Sequence, residues 1–166
     1  MKKLKSVLAV AMVVCFLTVS GCSAISSILS NPQTLITIAT DLGGLIAVVY
    51  PSLATQIVNN ATSAQATTNT AVVTVQTVDV SLQALLTAIT AANNANPNSN
   101  FATITGDINT ILSDTSLGAS DAEAVLNGFI KGLSSGMASK TSLKLKKLSN
   151  VKLTPQQIII ALQNLK

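Results

Sequence analysis

Apolar residues recur along the chain at alternating steps of three and four, the period of a helix that packs on one side. The first such stripe is Leu35, Ile38, Leu42, Leu45 and Val49. Ile36, Ala39, Ile46 and Ala47 widen it, so this helix is apolar nearly all round. Asn31-Pro32 suits its start, because proline fits the first helical turn, and Pro51 should end or bend it. Ala39, Gly43 and Ala47 stand four apart, a spacing that lets a second helix come close and that also occurs in membrane helix pairs. Two readings are therefore open for residues 35–53, a core helix or a membrane-inserted one. Asp41, near the middle, counts against insertion by roughly 2.5–3.5 kcal/mol.

From Ser52 to Thr70 the chain is rich in Ala, Thr, Asn, Gln and Ser. The Val-Thr alternation of Ala71–Val80 reads as strand. Yet Val75, Val78, Leu82, Leu85, Ile89 and Ala92 form a helical stripe, and its period extends back to Ile57. The spacing favours one long helix over 52–93 with a break near Asn69. Five asparagines, a proline and a serine between Asn93 and Asn100 mark a turn.

The next stripe is Phe101, Ile104, Ile108, Ile111 and Leu112, weakened by Gly106. After a turn over 113–119, Ser120 and Glu123 have capping-box spacing. Val125, Leu126, Phe129, Ile130, Leu133 and Met137 follow as an apolar face. In 139–153, Leu143, Leu145 and Leu148 are interleaved with lysines, which fits an extended or a partly amphipathic segment. Thr154-Pro155-Gln156-Gln157 is a second capping box, ahead of Ile158, Ala161, Leu162 and Leu165.

These elements predict an all-α fold, an irregular bundle of about five helices in which short connections favour antiparallel neighbours. The boundaries that follow are a leader over 1–21, a spacer over 22–32 and a bundle over 33–138. A lysine-rich linker over 139–153 leads to a C-terminal helix over 154–166 that packs on the bundle.

Composition narrows the chemistry. Of the 166 residues, 10% are charged, against roughly 25% in a typical soluble domain. The chain has no His, Arg or Trp, which removes imidazole catalysis, imidazole metal ligation and arginine clamps. Two cysteines cannot build a disulfide scaffold. No carboxylate set has metal-ligand spacing, so no metal site is expected. Asp107 and Asp114, seven apart, read as solvated surface acids. A serine nucleophile would need lysine as its base. Ser149 and Lys152 have that Ser-x-x-Lys spacing, but the other signatures of penicillin-recognising enzymes are missing. No catalytic residue and no bound cofactor are expected.

The N-terminus changes the picture most. Lys2, Lys3 and Lys5 precede an apolar run from Ser6 to Val19, which ends in Val19-Ser20-Gly21-Cys22. A basic start, an apolar core and small residues at the end make a secretory leader. The last four residues resemble the lipobox of bacterial lipoproteins, an aliphatic residue and two small ones before cysteine. The resemblance implies a diacylglycerol on the Cys22 thiol, cleavage before Cys22 by signal peptidase II, and commonly an acyl chain on the new amino group. It covers the leader only. Ser23 in place of the aspartate that retains lipoproteins at the inner membrane implies the outer membrane in a Gram-negative organism. In a Gram-positive one the protein would stay on the cell membrane. Two or three lipid chains make a lasting anchor.

Loss of the leader removes three of the ten lysines and leaves seven against six acids. A nucleic-acid partner is not expected, since the basic footprint all but vanishes. The remaining charges are segregated. Every acid lies between Asp41 and Glu123, and every remaining lysine between Lys131 and Lys166. Lys140, Lys144, Lys146, Lys147 and Lys152 cluster. They read as a solvated linker or as a contact for an anionic surface, whether lipid headgroups, lipopolysaccharide or wall polymer. The sequence thus predicts a membrane-tethered, non-catalytic envelope protein, and the wide apolar face of 35–49 offers a surface for self-association. The alternative is a lipid-binding protein that uses 35–53 and the lysines.

Overall fold

The computed structural model describes residues 31–66, 71–114, 116–140 and 143–166, with only the backbone of residues 65 and 66. These residues form seven helices and no strand. They are α1 (Pro32–Val49), α2 (Pro51–Ala66), α3 (Val75–Ala95), α4 (Phe101–Leu112), α5 (Ala119–Ser139), α6 (Leu143–Ser149) and α7 (Pro155–Gln163).

The fold is all-α, with more helices than the five or so expected. The predicted long helix over 52–93 is two helices, α2 and α3. Thr74 is extended and caps α3, accepting from the Thr77 amide at 3.1 Å while the Thr77 hydroxyl accepts from the Thr74 amide at 2.8 Å. This reciprocal cap starts a new helix even though the apolar period runs on past it. The expected break near Asn69 lies outside the described residues. The lysine-rich linker supplies the other additional helix, α6.

Several ends follow the sequence closely. Asn31 caps α1 by accepting from the Gln33 amide at 3.0 Å, with Pro32 in the first turn. Tyr50 alone separates α1 from α2, and Pro51 opens α2 rather than interrupting it. Thr154 and Gln157 form the expected reciprocal cap on α7. Ser120 does not cap α5. The helix begins two residues earlier than that cap would place it, at Ala119 behind Gly118, and has no side-chain cap. Ser120 and Glu123 are therefore exposed residues within the first two turns.

The principal packing pair is α1 with α5, two helices far apart in sequence. Gly128 lies against Ile36 and Thr40, Gly132 against Thr40 and Gly44, and Gly136 against Gly44 and Ala47. Positions rise together on both helices, so the two run parallel. Short connections do not dictate this neighbour choice; small residues do. Gly128, Gly132 and Gly136 share one face of α5 and meet the Ala39-Gly43-Ala47 face of α1. None of the described glycines has a positive φ, so here glycine serves close backbone approach and not an unusual backbone conformation.

The C-terminal helix α7 lies against α2, α3 and α5. It buries Ile158, Ile159, Ala161 and Leu162, more than one face, as befits a helix with neighbours on several sides. Its last carbonyls are met from α2, where the Asn60 amide nitrogen donates to Ala161 O at 3.5 Å and to Asn164 O at 3.3 Å. Tyr50, the only tyrosine, is buried between two elements, and its hydroxyl donates to Asn93 Oδ1 of α3 at 3.2 Å. Burial pushes that phenol's pKa above its ordinary value.

Candidate functional site

The lipobox residues Val19, Ser20, Gly21 and Cys22, together with Ser23, lie outside the described residues. The structure does place the five clustered lysines. Lys140 follows the last turn of α5 and is half-buried. Lys144, Lys146 and Lys147 are exposed on α6, and Lys152 is exposed on the strand-free segment before α7. Lys146 and Lys147 occupy the last turn of α6, where a cation is favoured by the helix dipole.

The sequence of α6 disguises its geometry. Leu143-Lys144-Leu145-Lys146 alternates like a strand, but the backbone is helical. Leu145 and Leu148, three apart, turn inward; Leu145 is buried against the core and Leu148 partly so. Leu143 therefore turns outward with the lysines. It is 86% exposed, the most exposed large apolar side chain described. In helical projection it sits between Lys146 on one side and Lys147 and Lys144 on the other. Leu145 and Lys144 also border a shallow cleft with Pro51, Ser52 and Thr55, at the start of α2. This places α6 at the end of the bundle where α1 passes into α2.

A second feature runs along the α1–α5 seam. Two open clefts share Thr40 and Asp41. One also contains Thr103 and Asp107 of α4 and Ser135 of α5, over a floor of Gly44, Gly132 and Gly136. The other contains Asn127 and Lys131 of α5. Asp107 is half-buried here rather than a freely solvated surface acid. Partial burial raises its pKa, and the Asp41 carboxylate raises it further. Asp107 and Asp114 read from their spacing as solvated surface acids, whereas the fold sets Asp107 in a cleft with Asp41 of another helix. Asp114 is taken up in a local turn, accepting from the Ser116 amide at 2.8 Å and its hydroxyl at 2.6 Å. The Thr40 hydroxyl is committed to Ile36 O at 2.7 Å.

The chemistry available in these clefts is that of carboxylates, hydroxyls, the amides of Gln33 and Asn127 and one lysine. Among the described residues no group of three or more His, Cys, Asp or Glu side chains comes together as a metal site would require. Two helices, Pro32–Val49 and Val75–Ala95, are long and apolar enough to cross a membrane by length and composition. Both contribute buried residues to the common core. Comparison of the chain with family models, with curated proteins and with solved structures gives no match.

Proposed function

We propose that this chain is a lipid-anchored protein of the bacterial cell envelope whose helical bundle works by contact rather than by turnover. The observation that carries this reading is the leader: a lysine-rich start, an apolar run, and Val19-Ser20-Gly21-Cys22 at its end. Cys22 is substrate in this scheme, the acceptor of diacylglycerol. The membrane is the first partner, and Ser23 favours the outer membrane in a Gram-negative cell. The residue types of the bundle suit contact, since the chain lacks histidine and arginine.

The close seam between α1 and α5 favours a core role for residues 35–49 over insertion in the bilayer. Insertion would break the close backbone contacts at Gly43 and Gly132 and carry Asp41 into the bilayer, at roughly 2.5–3.5 kcal/mol. The experiment is intact mass and membrane partitioning of the wild type beside Cys22→Ser. A wild type that loses its leader, gains acyl mass and pellets with membranes, with a variant that does neither, is the expected result. Full-length mass and membrane retention for both would make the leader an uncleaved anchor and overturn the lipoprotein reading.

A further inference from the structure

We propose that the outward face of α6 is a docking pad for an anionic phospholipid bilayer, with Leu143 entering the interface and Lys144, Lys146 and Lys147 holding headgroups around it. Three features of the pad point to this occupant. The lysines are exposed and follow one another within two turns, and neither α6 nor the segments flanking it in sequence carry an acidic residue. Leu143 stands among them at 86% exposure, while Leu145 holds the helix to the bundle from the opposite side. A soluble polyanion gives an exposed leucine nothing to enter, whereas a bilayer offers charge and an apolar layer at adjoining depths. Near an anionic membrane each lysine contributes about 1 kcal/mol, roughly a fivefold factor, so the three together contribute about a hundredfold.

The proposal rests on the lipid-anchored reading for the way the pad is delivered to a membrane. Because α1 and α5 run parallel, the tether enters at one end of α1 and α6 lies beyond the other end. The 18 residues of α1 span about 27 Å. The ten steps from Cys22 to Pro32 reach at most about 35 Å. The tether is therefore long enough for the bundle to recline with both its anchored end and α6 on one bilayer.

The chain contains no tryptophan, so Leu143→Trp installs a single fluorescent reporter at the centre of the pad. The probe is the full chain on phosphatidylglycerol-containing vesicles and on pure phosphatidylcholine vesicles. Val72→Trp serves as the comparison, being 71% exposed and beyond the opposite end of α2. The expected result is a blue shift and quenching by brominated lipid for Leu143→Trp on the anionic vesicles only. Raised salt should weaken both signals. Adding Lys144→Gln, Lys146→Gln and Lys147→Gln should weaken docking about a hundredfold, and arginine at the same three positions should restore it. A water-exposed emission on anionic vesicles would overturn the proposal. So would equal signals on both vesicles, an equal signal from Val72→Trp, or indifference to the lysine changes. Intact mass of the same samples reports acylation of Cys22 separately, so a failed pad and a failed anchor are told apart.

Discussion

The backbone carbonyl of Thr40 on α1 occupies the space that a side chain on Gly132 of α5 would need. Gly43 stands in the same relation to Phe129 O, with the Leu133 amide nitrogen at 2.7 Å from its would-be Cβ. The obstacle is backbone in both cases, and a backbone cannot swing aside as the end of a side chain can. Gly132→Ala should therefore destabilise the bundle by about 3 kcal/mol or more, at or above the upper end of overpacking penalties. Chemical denaturation, read by far-ultraviolet circular dichroism, measures it. A loss under 1 kcal/mol would mean that the two helices are not held this closely.

Gly106 provides the opposite case on the same chemistry. It lies inside α4, is exposed, and a Cβ there would meet nothing within 4 Å. Only its helix propensity matters. Gly106→Ala should stabilise the protein by about 1 kcal/mol. The two glycine substitutions thus differ in sign, and thermal melts of the pair side by side test the assignment of seam and surface.

The stripes of α1, α4 and α5 were legible because each helix buries its periodic apolar face. The α1–α5 pairing was half legible. Ala39, Gly43 and Ala47 announced one side of a close approach, but the matching Gly128, Gly132 and Gly136 sit within a helix whose bulky residues dominate the period. Parallel pairing across that distance depends on complementary surfaces, which no local pattern encodes. The separation of α2 from α3 was partly legible: a break near Asn69 was expected, but the period of small residues runs on through it and gives no sign of where α3 restarts, which the Thr74–Thr77 cap fixes. The outward leucine of α6 was masked by an alternation that mimics a strand. Asp107 facing Asp41 is a tertiary relation, invisible to spacing within one helix.

Helix caps offer a cleaner test of which start signals the fold uses. Thr154 accepts from the Gln157 amide, and Gln157 accepts from the Thr154 amide at 2.8 Å. Thr154→Ala removes one half of this exchange at the start of a core helix and should cost about 1 kcal/mol. Ser120 has equally suggestive neighbours but stands inside α5, behind an extended Gly118. Ser120→Ala should change stability by less than about 0.5 kcal/mol, as exposed positions without a special role do. Equal losses from the two substitutions would place the start of α5 at Ser120 after all.

The acidic cleft predicts a pH dependence of definite sign. Burial first, and the Asp41 carboxylate second, raise the pKa of Asp107 above its ordinary value. A carboxyl with a raised folded pKa is better accommodated when protonated. Its stabilising contribution is fully present below the unfolded pKa and is lost as pH rises through the folded one. At neutral pH the ionised Asp107 is therefore a modest burden, eased by the solvent that reaches the cleft. Asp107→Asn should raise the melting temperature at pH 7 by a few degrees at most, since roughly 1 kcal/mol corresponds to a shift of about 4 °C in a chain of this size. The advantage over wild type should shrink as pH falls through the carboxylate range and the native side chain takes up its proton. Asp41→Asn removes the facing charge and should lower the Asp107 pKa, which NMR titration of the carboxyl carbon can follow. An Asp107 pKa indifferent to Asp41→Asn would show that the two carboxylates do not share the cleft.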